Sequence, residues 1–224
     1  MSDLPWLGLF VWATIAGLDQ VSVLQGLLSR PLVAGTAAGA IIGDLESGLR
    51  IGAVLELFAL DVLPVGAARY PDYGGATVAA VALASGGPWQ LMLGPAALLG
   101  LVVASLGGWS LVMHRRITAW ALHRQSAALD RGEPGVGRRV HGLGLFFDLC
   151  RSGIMAAIGL AGVVLLRAFG PPLDVRTAEA LALVVILGGL AAMVGGALRR
   201  AGTLRRFGWL LGGAVAGLAG TMLR

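Results

Sequence analysis

From Trp89 to Met113 the chain runs without a single charged side chain. A helix of about 20 apolar residues crosses the hydrocarbon core of a bilayer, roughly 30 Å thick. In that core every backbone N–H and C=O must be satisfied internally, which leaves helices and closed barrels as the only spanning structures. Leu143–Phe169 and Ala178–Leu198 are further long apolar runs, and Phe207–Leu223 is another apolar stretch at the end of the chain. Only 13% of the residues are charged and 57% are hydrophobic, against about 25% charged in a soluble domain. Such a chain cannot cover a water-facing surface, so lipid must solvate part of it. The expected fold is all-α: a polytopic integral membrane protein with one transmembrane domain over 1–224.

The N-terminal half is more broken. Pro5–Leu28 is long enough to span but is interrupted by Asp19-Gln20. It lacks a basic leader region and a small-residue cleavage site, and is expected to be a retained span. Arg30-Pro31 signals a helix start, with Pro in the first turn. Two short apolar runs follow, Leu32–Gly43 and Leu49–Leu63, joined by the polar turn Gly43-Asp44-Leu45-Glu46-Ser47-Gly48. Runs this short are expected to form a re-entrant or broken helical hairpin. Such backbone survives at membrane depth when it is buried in protein or lines a wet cavity. A polar stretch, Arg69–Gly75, then precedes another short run, Ala76–Ser85.

Charge orients the rest. His114–His141 carries Arg115, Arg116, Arg124, Arg131, Arg138 and Arg139 against Asp130 and Glu133, and a second cluster holds Arg199, Arg200, Arg205 and Arg206. Basic residues in short loops mark the cytoplasmic side. An even number of spans separates the two clusters, so both fit one face. The reading is N-terminal spans and hairpin over 1–113, a cytoplasmic basic loop over 114–141, and C-terminal spans over 142–224. All 17 basic residues are Arg, and they flank apolar spans without interleaved aromatics, so nucleic acid is not an expected partner. Gly35, Gly39 and Gly43 recur on one helix face, the spacing of close helix packing. Gly208 and Gly212, then Gly213 and Gly217, repeat it.

Polar groups that could carry chemistry concentrate before residue 75: Asp19, Gln20, Gln25, Arg30, Asp44, Glu46, Glu56, Asp61 and Asp72. Glu56 stands out, between Leu55 and Leu57. A charge at membrane depth costs about 2.5–3.5 kcal/mol on insertion scales, so it faces a cavity or a partner. Glu56 reads either as a solute-contacting carboxylate or as half of a structural ion pair with an Arg. Asp44 and Glu46 read as solvating the hairpin turn, and Asp61 as an end-of-helix residue. His114, His123 and His141 lack metal-binding spacing and read as interfacial or solvated. Cys150 is the one cysteine, so no internal disulfide or paired-cysteine metal site is expected. No G-x-x-x-x-G-K-[ST] or G-x-S-x-G stretch exists, no cofactor or metal is expected, and the chain does not read as an enzyme.

The ordered text Ile15-Ala16-Gly17, Arg30-Pro31-Leu32, Gly43-Asp44, Gly48-Leu49, Ile51-Gly52, Leu55-Glu56-Leu57, Pro64-Val65-Gly66-Ala67 and Pro71-Asp72 resembles the IIC membrane component of the mannose–fructose–sorbose family of the bacterial sugar phosphotransferase system. The stretch His123–Ala128 and the spans after it are similar too. The resemblance implies a sugar permease subunit in the bacterial inner membrane, an oligomer that pairs with a IID membrane subunit. Soluble IIB and IIA phosphocarriers would bear the phosphate on their own histidines. It implies sugar contact by Glu56 and Asp72, with Asp19 and Gln20 beside them. The chain departs from the family pattern in its shorter length and in Arg69-Tyr70 before Pro71-Asp72. The alternatives are a proton- or cation-coupled secondary transporter using Glu56, and a non-transporting membrane scaffold or regulator.

Overall fold

The computed structural model describes residues 5–201 apart from 24, 61, 63–68 and 86, together with 208 and 212. The readings placed on Asp61, on Pro64–Ala67, on Arg205 and Arg206 and on the run Phe207–Leu223 fall largely or wholly outside those residues. Among the described residues the elements are all helical: α1 (Trp6–Asp19), α2 (Pro31–Ile42), α3 (Leu45–Ala59), α4 (Tyr73–Ala84), α5 (Trp89–Arg124), α6 (Ser126–Asp130), α7 (Val136–Phe169) and α8 (Val175–Ala201).

α5, α7 and α8 are each long and apolar enough to cross a membrane. The 36 residues of α5 extend about 54 Å at 1.5 Å per residue, well beyond the hydrocarbon core. Their outer faces carry Val102, Trp109, Ile154, Val164, Phe169, Val184 and Leu187, all strongly exposed. Large apolar side chains repeated along three long faces suit lipid and not water.

The segment 114–141 is not an irregular loop. α5 continues through Arg124, α6 follows after Gln125, and α7 begins at Val136. The polar ends of two long helices, capped where Gly132 (φ 66) and Gly135 (φ 83) turn the chain, make up most of it. Hydropathy marks where a helix leaves the apolar layer, not where the helix stops.

α4 sits at the centre. Every residue from Tyr73 to Ala84 except Gly75 is buried, against α5, α1, α7, α2 and α3. Its sequence, YGGATVAAVALA, is apolar all round, the composition of a helix enclosed on every side. Small side chains let five neighbours approach, and Leu55, Val78, Val81, Ala97, Leu160 and Val163 interlock around it.

α2 and α3 form a hairpin closed by Gly43, whose left-handed φ of 84° ends α2. Asp44 caps α3 by accepting from Ser47 N at 3.1 Å, and Glu46 pairs with Arg50 one turn on. A Cβ on Gly35 would lie 2.6 Å from Gly48 O, and one on Gly39 would lie 2.9 Å from Gly48 Cα. Backbone touches backbone along this seam, which is why Gly recurs on the face.

Candidate functional site

Asp19 ends α1 and is 1% exposed. Its carboxylate accepts from Gly26 N at 2.9 Å and Ser29 N at 2.8 Å, which folds the connection to α2 back over the helix end. Gln20 Nε2 donates to Pro71 O at 3.0 Å. Arg30 precedes Pro31 at the first turn of α2. Glu56, from α3, ion-pairs with Arg30 and accepts from Leu32 N at 3.1 Å. It thus satisfies one of the orphan N–H groups of α2 and sits at the positive end of that helix.

These groups surround a cavity of about 400 Å³ lined by Asp19, Gln20, Gln25, Arg30, Tyr70 and Tyr73 among others. The size falls in the range of about 300–1,000 Å³ typical of small-molecule pockets. Gln20 Oε1 is buried with no hydrogen-bond partner among the described residues. Of the four site residues expected from sequence, Asp19 and Gln20 line the cavity. Glu56 reaches it only through Arg30. Asp72 lies behind the wall formed by Tyr70, Pro71 and Tyr73 and turns into the protein.

There Asp72 meets a partner that no local sequence pattern shows. Arg151, on α7, donates from Nη1 to Asp72 Oδ2 at 2.7 Å and from Nε to Asp148 Oδ1 at 2.6 Å. It also reaches Ser110 Oγ (3.3 Å), Gly17 O (3.1 Å) and Ser152 Oγ (3.0 Å). A guanidinium has five N–H groups, so one side chain ties α1, α4, α5 and α7 together. Asp148 in turn accepts from Ser22 Oγ at 2.5 Å. Asp148 is 0% and Arg151 7% exposed, so the ions are buried, paired and hydrogen-bonded as burial of charge requires. The signal was present: Asp148 and Arg151 stand three apart inside the apolar run Leu143–Phe169, one turn on the same helix face.

Two glycines of α5 admit the Tyr70–Asp72 segment before α4. A Cβ on Gly107 would lie 2.6 Å from Asp72 Cβ, and one on Gly108 would lie 2.6 Å from Tyr70 O. Asp72 N donates to Ala104 O at 2.9 Å. His114, expected at an interface or in solvent, is instead 9% exposed. Its Nδ1 lies 3.8 Å from Asp148 Oδ1 and its Nε2 lies 3.3 Å from Thr118 Oγ1. The long α5 carries it inward to face α7.

Long, apolar-faced helices around a buried ionic centre and a polar cavity define a multi-pass membrane protein. Residues 5–201 match the family described as the sorbose-specific IIC component of the phosphotransferase system, and the chain belongs to that family. It is 36% identical over 131 residues to the sorbose-specific EIIC component of Klebsiella pneumoniae, an alignment covering 58% of this chain and 48% of that one. It is 32% identical over 149 residues to the mannose-specific EIIC component of Escherichia coli K12, covering 66% and 55%. With the sorbose-specific EIIC component of Lacticaseibacillus casei it shares 28% over 188 residues, covering 84% and 64%. The chain thus spans about half the length of the first two relatives. A solved structure of the mannose transporter ManYZ with microcin E492 superposes at a TM-score of 0.62 and 26% identity, covering all of this chain and 94% of that one. A solved membrane protein superposes at 0.72, also at 26% identity and the same coverage.

Proposed function

We propose that the chain is the sugar-transporting IIC subunit of a mannose–fructose–sorbose type phosphotransferase system in the bacterial cytoplasmic membrane. It forms the sugar path with a IID membrane subunit, within an oligomer. Soluble IIA and IIB proteins phosphorylate the arriving sugar, so this chain moves the substrate and does not carry the phosphate. The carrying observation is the cavity walled by Asp19, Gln20, Arg30 and Tyr70. It offers carboxylate, amide, guanidinium and aromatic groups at one place within an apolar helical body. Hydroxyls of a sugar both donate and accept, and this set provides for both. Gln20 and Arg30 are the direct contacts, Glu56 holds Arg30, Asp19 fixes the Gly26–Ser29 connection beside them, and Asp72 fixes the wall from behind.

The α2–α3 hairpin enters the bilayer from one face without crossing it. At 12 and 15 residues its arms reach only about 18 and 22 Å at 1.5 Å per residue, short of the roughly 30 Å core. The basic ends of α5 and α7 face the cytoplasm, where soluble phosphocarriers approach. Glu56 is tied to Arg30, which removes the isolated carboxylate on which cation-coupled transport would rest.

The test is reconstitution of the complex with its IID subunit in vesicles, supplying mannose, fructose or sorbose outside and phosphorylated IIA and IIB inside. Accumulation of sugar phosphate that needs the phosphocarriers is expected. Uptake at equal rate without them, or uptake of none of the three sugars, would overturn the reading.

A further inference from the structure

A second cavity, about 470 Å³, lies beside the first. Its polar lining comes from Ser22, Gln25, His114, Thr118 and His141. Both cavities are lined by Val21 and Gln25, so a short piece of the α1–α2 connection is their common wall. That piece is held from both sides. Ser22 donates to Asp148 at 2.5 Å, while Asp19 and Gln20 bind Gly26, Ser29 and Pro71. Gln25 takes a left-handed φ of 47°, the one non-glycine residue with positive φ among those described, and its amide folds back onto Val21 O. A non-glycine residue is kept in that region only when its surroundings over-determine it, and such residues gather at functional sites.

The other walls come from α5 and from the start of α7, through Thr118, Leu122, Gly137, Val140, His141 and Gly144. They lie toward the Arg-rich helix ends, on the far side of the shared wall from Arg30 and Glu56. The lining is mostly apolar with a few convergent donors and acceptors, the make-up of a small-molecule site. His114 is buried and lines this space, with its Nε2 3.3 Å from Thr118 Oγ1.

Resting on the function proposed above, we infer that this second cavity is a further compartment of the solute path, entered from the first past Val21 and Gln25. It takes the same hydroxyl-rich, hexose-sized solute. Ser22, Gln25, His114, Thr118 and His141 are its polar contacts. The solute thus binds first among Asp19, Gln20, Arg30 and Tyr70, then passes the wall and is held between α5 and α7 before it leaves.

Gly144 gives a clean test. A Cβ there would meet only Thr118 Cγ2, at 3.8 Å, while a Cβ on Gly142 would meet nothing. Gly144→Leu therefore intrudes on the second cavity from a Cβ that meets no backbone, and Gly142→Leu adds the same side chain two residues away, outside the lining. The full complex with its IID subunit is assayed for binding and vesicle uptake of mannose, fructose and sorbose. For Gly144→Leu, uptake about tenfold lower with affinity within about twofold of wild type is expected, the mark of a step after initial binding. Gly142→Leu should match wild type in both. Unchanged uptake by Gly144→Leu, equal loss of affinity and uptake, loss of assembly, or equal damage by Gly142→Leu would each overturn the second compartment. A wild-type complex that binds none of the three sugars would overturn the functional reading along with it.

Discussion

Arg151 donates to Asp72 at 2.7 Å across a sequence separation of 79, joining α7 to the segment that backs the first cavity. The same guanidinium holds Asp148, which holds Ser22 in the wall between the two cavities. Removing a partner from a buried ion pair leaves an uncompensated charge, at a cost of about 3–5 kcal/mol. Arg151→Ala strands two carboxylates and is expected to lose that much, seen as low abundance and a lowered unfolding midpoint in detergent. Neutralising the whole group, with Asp72→Asn and Asp148→Asn added to Arg151→Gln, is expected to recover a large part of it. A triple variant no more stable than Arg151→Ala would refute the electrostatic account of this centre.

The hairpin seam makes a different demand. A Cβ on Gly48 would sit 2.5 Å from Gly35 O and 2.9 Å from Gly39 Cα, closer than real atoms approach. Gly48→Ala must push α2 off α3 and is expected to cost about 1–3 kcal/mol, the usual range for overpacking. Gly137→Ala, where a Cβ meets nothing, is the control and should gain slightly, since Ala favours a helix over Gly by about 1 kcal/mol. Thermal unfolding of the two purified variants decides this, and equal midpoints would show that the seam tolerates separation.

Much of this was legible in the sequence. The length of the apolar runs showed α5, α7 and α8, because few residue types suit the interior of a bilayer, whereas the span expected over Pro5–Leu28 is a 14-residue helix that stops at Asp19, whose carboxylate turns to the backbone of Gly26 and Ser29. Glycine spacing on one face of α2 pointed to a close helix contact, and the structure shows α3 as the partner. What stayed hidden was pairing. Glu56 reads as a solute contact or as half of an ion pair with an Arg, and its neighbours in sequence do not show that the Arg is Arg30, at the start of α2. Asp148 and Arg151 stand inside an apolar run that otherwise reads only as a span, and sugar contact by Asp72 is implied by the resemblance alone, since nothing local shows that Arg151 lies behind it. Periodicity reports which face of a helix is buried, and only the packed structure reports what that face meets.

Topology follows from α7. Its 34 residues extend about 51 Å at 1.5 Å per residue, so its two ends must lie on opposite sides of the membrane. Reporter fusions at Gly135, before α7, and at Pro172, after it, are expected to read cytoplasmic and external respectively, as the Arg excess near Gly135 requires. The same side for both fusions, or the reverse assignment, would refute the placement.

Glu56 and Arg30 supply the sharpest test of the sugar site. Glu56 has two oxygens in use, one on Arg30 and one on Leu32 N. Glu56→Gln keeps the shape but offers a single acceptor oxygen, so one of the two bonds must go. A hydrogen bond to a charged group contributes about 1.5–3 kcal/mol. If Arg30 is the sugar contact and Glu56 aims it, loosening Arg30 by that amount lowers sugar affinity about ten- to a hundredfold, at 1.4 kcal/mol per decade. Arg30→Gln should lower it by a similar factor. Because both changes disable one unit, the double variant should be little worse than either alone, giving a coupling energy well above the few tenths expected of independent sites. Calorimetric titration of sugar into wild-type, single and double variant complexes of matched amount measures all four corners of the cycle. Additive losses would separate Glu56 from Arg30, and unchanged affinity in a well-assembled Glu56→Gln complex would leave the pair as a brace for the start of α2 with no part in holding sugar.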